Sequence, residues 1–202
     1  MKRMMRPFIL AALTAGTLWA QTLSTTPTSR GEGWEKRVAR DAALAKQGGW
    51  ELVFIGDSIT QGWELAGKDT WKKYYADRDA VNLGIGGDRT QHVLWRLDNG
   101  NIDGIEPKLA VVMIGTNNSG ANTPKEIAEG VAAIVELLRT KLPKTTVLVL
   151  GIFPRGADAN DARRPVIRKT NARLAKLADG KSVLYEDIGE VFLEPDGTIK
   201  RE

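Results

Sequence analysis

Five short stretches of this chain are apolar at almost every position: Leu52–Ile55, Val81–Ile85, Ala110–Ile114, Val147–Phe153 and Val183–Tyr185. Runs this short, without polar alternation, predict strands buried on both faces in a mostly parallel sheet. Between them the apolar spacing changes to three and four. Trp34, Val38 and Ala42 recur every fourth residue before Gly48, which predicts an amphipathic helix with a glycine stop. Thr123 with Glu126 makes a capping box, and Pro124 suits the first helical position. Ile127, Val131, Ile134, Val135 and Leu138 then share one face up to Pro143. Gln91–Leu97 reads as a helix after the second strand, and Pro165 opens another through Leu174 and Leu177, closed by Gly180. Strands alternating with helices predict a doubly wound α/β sandwich in one domain, residues 34–202.

The chain ahead of that domain reads differently. Lys2, Arg3 and Arg6 precede an apolar stretch, Phe8–Ala20, too short and interrupted to span a bilayer stably. Residues 1–20 therefore read as a signal peptide, cleaved after Ala20, which predicts export to the periplasm or beyond. No cysteine follows to carry a lipid, so no stable membrane anchor is expected. Residues 21–33, rich in Thr, Ser, Pro and Gly, read as a flexible leader.

This division changes the meaning of the charge. The formal net charge is +4, but three of those charges are Lys2, Arg3 and Arg6, leaving +1 for the rest. No nucleic-acid footprint survives. The absence of cysteine excludes disulfides, thiol nucleophiles and zinc ribbons, and a single histidine leaves little room for a metal site. No cofactor or metal is expected.

Three polar motifs follow three successive strands: Gly56-Asp57-Ser58-Ile59-Thr60, Gly84-Ile85-Gly86-Gly87-Asp88 and Gly115-Thr116-Asn117-Asn118. In a parallel sheet all three emerge at the carboxyl edge, where open α/β folds bind ligands. Together they supply parts for acyl transfer. Ser58 offers a nucleophile, Gly87 a backbone N–H that can approach an oxyanion, and Asn117 a second donor. Each has a plainer reading: a serine after a strand caps a helix, Gly-Gly makes a turn, and a loop Asn closes an Asx-turn. Asp57 is read as shaping its turn. Their shared order after successive strands is what favours a site. Gly62–Lys68 resembles a phosphate-binding loop but has Asp69 where Ser or Thr should follow. Gly84–Arg89 begins like a dinucleotide fingerprint but lacks its last glycine.

Phe54–Thr60 (FIGDSIT), Asn82–Thr90 (NLGIGGDRT) and Ile114–Asn118 (IGTNN) resemble three sequence blocks of the GDSL/SGNH hydrolases. Gly84–Gly100 and Phe153-Pro154-Arg155-Gly156 are similar to a narrower group, the bacterial relatives of the platelet-activating-factor acetylhydrolase Ib catalytic subunits. The resemblance implies a flavodoxin-like three-layer α/β/α sandwich and metal-free hydrolysis of short acyl esters, often acetyl, of a carbohydrate or lipid. It implies Ser58 as nucleophile, with the Ser58 N–H, Gly87 N–H and Asn117 side chain as oxyanion donors. A homodimer is compatible with it.

One departure matters. The resemblance implies a triad Asp and His in an Asp-x-x-His block near the C-terminus, followed by a last helix, and the 202 residues contain no such block. The expectation is a truncated chain, impaired as an enzyme and lacking that helix. The only histidine, His92, falls in the helix after the second motif and is a weak alternative base. Two functional readings result: a secreted serine esterase, or a non-catalytic binding protein on the same fold. Trp63, Trp71 and Trp95 read as core packing, with a sugar-binding cleft as the alternative.

Overall fold

The computed structural model describes residues 22–200; the segment read as a signal peptide lies outside the described residues. Five strands form one sheet: β1 (Leu52–Gly56), β2 (Ala80–Gly84), β3 (Leu109–Met113), β4 (Thr146–Leu150) and β5 (Val183–Glu186). Their order is β2-β1-β3-β4-β5 and every pairing is parallel. Among the described residues, six α-helices accompany them: α1 (Glu32–Ala45), α2 (Ser58–Gln61), α3 (Lys68–Tyr74), α4 (Thr90–Asp98), α5 (Pro124–Lys141) and α6 (Arg163–Leu174). This is the flavodoxin-like order, whose chain reverses direction across the sheet beside β1 and so opens a crevice at the strand ends.

The capping box predicted for α5 forms, with Thr123 N donating to Glu126 at 2.7 Å. Its apolar face, Ile127, Val131, Ile134, Val135 and Leu138, joins Val93, Leu94 and Leu97 of α4 and Ile167 and Leu174 of α6 in the main core. These helices press on Val53, Ile55, Ala110, Val112, Val147 and Val149, all essentially inaccessible. The other sheet face is covered unevenly. Phe54, Val111, Leu148 and Leu184 lie in register across four strands. Phe54 sits under Trp71 and Tyr75, with ring centroids 5.1 Å away in each case. Phe54 and Val111 are buried, Leu148 is half-buried, and Leu184 is 37% exposed. The expectation of burial on both faces therefore holds for β1 to β3 and fails for β4 and β5. An apolar sequence reports what a strand can bury, not which neighbour is there to cover it.

The flexible-leader expectation also changes. Ser24 is fully buried, and its hydroxyl donates to the Glu126 carbonyl at 2.7 Å. Thr90 Oγ1 donates to Ser24 O at 2.9 Å, and Thr28 N donates to Gln91 O at 3.1 Å. The leader is pinned between the first turns of α4 and α5. Gly130 makes the space: a Cβ there would fall 2.6 Å from Thr90 Oγ1 and 2.7 Å from Ser24 O. Composition alone marked the segment as loose, and these long-range bonds carry no local signal.

A glycine inside a helix normally costs about 1 kcal/mol relative to alanine. At Gly130 the contact with backbone oxygen reverses that sign. Gly130→Ala should lower the melting temperature and speed proteolysis within residues 22–31. A higher melting temperature with an unchanged cleavage pattern would contradict the pinned leader.

Candidate active site

The three motifs meet at the carboxyl edge of the sheet. Helix α2 is a single turn lying on the ends of β1 and β2. It can lie there because Gly84 has no side chain: a Cβ would fall 2.4 Å from Gln61 N. Asn82 holds the turn from below, donating to Thr60 O at 3.0 Å. Gln61 Oε1 accepts from Gly86 N at 2.6 Å, tying the first motif to the second.

The residue that caps α2 is Asp57, not Ser58. Its Oδ1 accepts from Ile59 N at 3.0 Å. This takes the plainer role away from Ser58, which is exposed and has no side-chain hydrogen bond among the described residues. As the first helical residue, Ser58 also has no intrahelical acceptor for its own N–H. A Cβ on Gly86 would lie 3.7 Å from the Ser58 Cβ, so the second motif runs directly alongside.

Gly87 occupies a turn closed by Asp88 N donating to Ile85 O at 3.2 Å. Its φ of 79° is one that a side-chain-bearing residue rarely adopts. The Gly87 N–H has no acceptor among the described residues. Asn117 Nδ2 donates to Asp88 O at 2.8 Å, and its second amide hydrogen has no partner among those residues. Its neighbour Asn118 is fully buried instead, accepting from Thr90 N at 3.1 Å and donating to Asn122 Oδ1 at 3.1 Å. The paired asparagines thus divide the work: Asn118 braces the loop and Asn117 faces the crevice.

Beneath the turn lies a buried charge network absent from the sequence reading. Asp88 Oδ2 accepts from Arg96 Nε at 2.9 Å, and both side chains are fully buried. Asp88 Oδ1 accepts from Trp34 Nε1 at 2.8 Å and from Arg30 of the leader at 3.0 Å. Arg96 also donates to Gly56 O at 3.1 Å and to Asn101 Oδ1. Asp88 and Arg96 both lie in the motif region, but nothing in their spacing announces a buried pair.

Burial, with the nearby Asp88 charge, pushes the Asp57 carboxyl up to about 6, against the Ile59 N–H, Arg155 and Arg96. Its Oδ2 is buried without a hydrogen bond. His92 shifts the other way, to about 4, chiefly through burial, with Arg30, Arg89 and Arg96 adding to the effect. Its Nδ1 accepts from Arg89 N at 3.0 Å, capping α4. Nδ1 is occupied, and no hydrogen bond joins the ring to Ser58 among the described residues. His92 is placed as a cap. Of the tryptophans, Trp95 packs on Trp34 at 5.2 Å. Trp63 and Trp71 join the aromatic cluster over β1 and line a 630 Å³ cleft along β2. None lines the cavity at Gly87 and Asn117.

At this edge of the sheet, a one-turn helix carries a serine whose hydroxyl has no hydrogen bond among the described residues, with the second motif running alongside it. Residues 54–202 match the GDSL-like Lipase/Acylhydrolase family, and the chain belongs to it, among the carboxylic-ester hydrolases. It is 40% identical over 171 residues to the bovine (Bos taurus) platelet-activating factor acetylhydrolase IB subunit alpha1, covering 84% of this chain and 72% of the relative. It is 39% identical to the chicken (Gallus gallus) alpha2 subunit, covering 82% and 71%. Two solved structures share the fold. A GDSL-like lipase from Bacteroides thetaiotaomicron superposes with a TM-score of 0.62 at 22% identity, covering 83% of each chain. An acetylxylan esterase from Geobacillus stearothermophilus gives 0.55 at 19% identity, covering 71% of this chain and 80% of that one.

The two shifted groups oppose each other in stability. Asp57, with its folded value near 6 against an ordinary 3.8, holds its proton in the folded state after the unfolded chain has lost it. Its contribution is therefore full below about pH 4 and is lost as pH rises to 6. His92, lowered from 6.5 to about 4, contributes stability above pH 6.5 that is lost as pH falls. Comparing wild type with Asp57→Asn cancels the His92 term, and Asn keeps an acceptor for Ile59 N. The variant should gain on wild type between pH 4 and 6 in urea titrations and hold that gain above 6. A pH-independent difference would contradict the buried, raised carboxyl.

Proposed function

We propose that this protein is a serine esterase that removes a short acyl group, acetyl foremost, from a carbohydrate or lipid through an acyl-enzyme on Ser58. The observation that carries this reading is the Ser58 hydroxyl. Asp57 takes the helix cap, so the hydroxyl stands free; the second motif runs alongside it at Gly86, and the Ser58 N–H, the Gly87 N–H and one Asn117 amide hydrogen are unpaired among the described residues. Ser58 Oγ attacks the ester carbonyl carbon and gives up its proton to a base. The carbonyl oxygen gains the negative charge and accepts hydrogen bonds from these donors. Collapse expels the alcohol, and water then releases the acid from Ser58. The relatives named for platelet-activating factor acetyl hydrolysis and the acetylxylan esterase with the same fold support an acetyl ester. The basic and apolar pattern of residues 1–20 supports export.

Among the described residues, no histidine lies in hydrogen-bond contact with Ser58. His92 instead caps α4 and favours its neutral form. That placement favours a second reading: a non-catalytic ligand-binding protein on the same fold. In the serine-protease template, removing a triad member leaves about 10³–10⁴-fold acceleration over water, from oxyanion stabilisation and binding.

A fluorophosphonate should label Ser58 in wild type, and Ser58→Ala should abolish both labelling and p-nitrophenyl acetate turnover. Labelling at another serine, with turnover intact in the variant, would overturn the assignment. Asn117→Ala should lower kcat by about 10²–10³ with little change in KM, as for loss of one oxyanion donor. A change confined to KM would make Asn117 a ground-state binding residue.

A further inference from the structure

A cavity of about 280 Å³ opens at Gly87 and Asn117, and its remaining lining is Arg89, Thr116, Ser119, Gly120, Arg155 and Arg163. Three arginines and no carboxylate line it. Their charges are not equally compensated. Arg163 is already paired, donating from Nε to Asp161 Oδ1 at 2.8 Å. Arg155 meets only neutral oxygens, with its Nη1 3.1 Å from Thr116 O and 3.5 Å from Thr116 Oγ1 and Asn117 Oδ1. Arg89 has no ion-pair or side-chain hydrogen-bond partner among the described residues. Both are half-buried, which weakens the screening of their charge by water. Acids do stand nearby, but they are engaged elsewhere. Asp88 is buried under Arg96, Trp34 and Arg30, and Asp57 points one oxygen at Ile59 N.

We propose that this cavity is an anion subsite, and that the ester bound at Ser58 carries an oxyanion group, a carboxylate or a phosphate, held by Arg89 and Arg155. The proposal rests on the esterase reading only for the position of the ester, since the cavity shares Gly87 and Asn117 with the donors around Ser58. Guanidinium groups match carboxylate and phosphate oxygens with paired N–H donors, and two uncompensated arginines supply more donors than a neutral alcohol could use. Arg155 has a second effect. Its contacts with Thr116 and Asn117 mean that an anion bound here sits against the loop that carries the candidate oxyanion donor.

The test reads binding on Ser58→Ala protein, so turnover is not needed. Calorimetry compares 4-acetoxybenzoate with its neutral methyl ester, each against Ser58→Ala alone and combined with Arg89→Gln or Arg155→Gln. The anionic ester should bind about tenfold tighter at low salt, as expected for charge-assisted pairs at a partly buried site. Either arginine substitution should remove most of that preference, and added salt should shrink it. Arg89→Gln is the cleaner variant, because that side chain holds no other element in place. Competition by benzoate and by inorganic phosphate then tells which oxyanion the cavity prefers. Equal affinity for the two esters, a preference surviving both substitutions, or no saturable binding would overturn the subsite. Failure of the esterase reading looks different: wild type would bind the anionic ester with the same preference and hydrolyse neither.

Discussion

Asp88 and Arg96 form an ion pair with no exposed surface on either side chain, and the crevice is assembled around it. Burying two charges is expensive, and the geometry must return most of that cost. Here it does so by satisfying both partners. The carboxylate accepts from Arg96, Trp34 and Arg30, and the guanidinium donates to Asp88, Gly56 O and Asn101. Burial pulls the Arg96 guanidinium below its usual range, and Asp88 opposes that pull. A pair so satisfied contributes little net stability against an apolar replacement, but losing one member strands the other at about 3–5 kcal/mol. What the pair contributes is position. Arg96 reaches from α4 to the end of β1 while Asp88 anchors the turn that presents Gly87, so two of the three motifs are held to one point.

The third motif and the leader attach to the same centre. Asn117 donates to the Asp88 carbonyl, which fixes its amide relative to Gly87. Arg30 reaches Asp88 and Gly86 O from the leader, and the leader is in turn fastened to α4 and α5 through Ser24 and Thr28. A disturbance at Gly130 therefore has a path to the Gly87 turn through Arg30. The loop geometry around Ser58 owes nothing to a general base. Ser58, the Gly87 turn and the Asn117 amide are placed at one edge of the sheet by bonds among α2, the β2 turn and the β3 loop.

Much of this was legible in the residues. Four of the five strands lie within a residue or two of their apolar runs; in Val147–Phe153 the strand ends at Leu150 and the chain turns toward Asn171. The capping box at Thr123 and Glu126 and the glycine stop after α1 carry local chemistry that needs no tertiary partner. Ser58, Gly87 and Asn117 were visible as a set because each follows a strand. The rest depends on partners far along the chain. The leader looks like disorder until the Ser24 hydroxyl finds the Glu126 carbonyl, about a hundred residues on. Leu148 and Leu184 look like core until the sheet shows what covers them. Arg155 stands in the sequence only as part of a motif, and its place at the cavity follows from the pairing of β4 beside β3.

Charge is the second organising feature of the crevice, and it follows from the same pair. Because Asp88 is consumed by Arg96, Trp34 and Arg30, it does not neutralise Arg89 or Arg155. Asp57, raised to about 6, is mostly ionised at neutral pH, but it is buried and has one oxygen taken by Ile59 N, away from the cavity that Arg89 and Arg155 line. The net result at the mouth is positive, on a domain whose sequence charge is nearly balanced. That field favours negative charge wherever it develops, on a substrate oxyanion or on the carbonyl oxygen during attack. It also disfavours a protonated imidazole: burial is what chiefly lowers His92, and Arg89 at the mouth adds to it. A base working beside Ser58 would need a carboxylate of its own to hold positive charge in this setting, as the Asp of an Asp-His pair does. The crevice thus prepares for negative charge on the substrate and leaves the stabilisation of positive charge to a partner for the base.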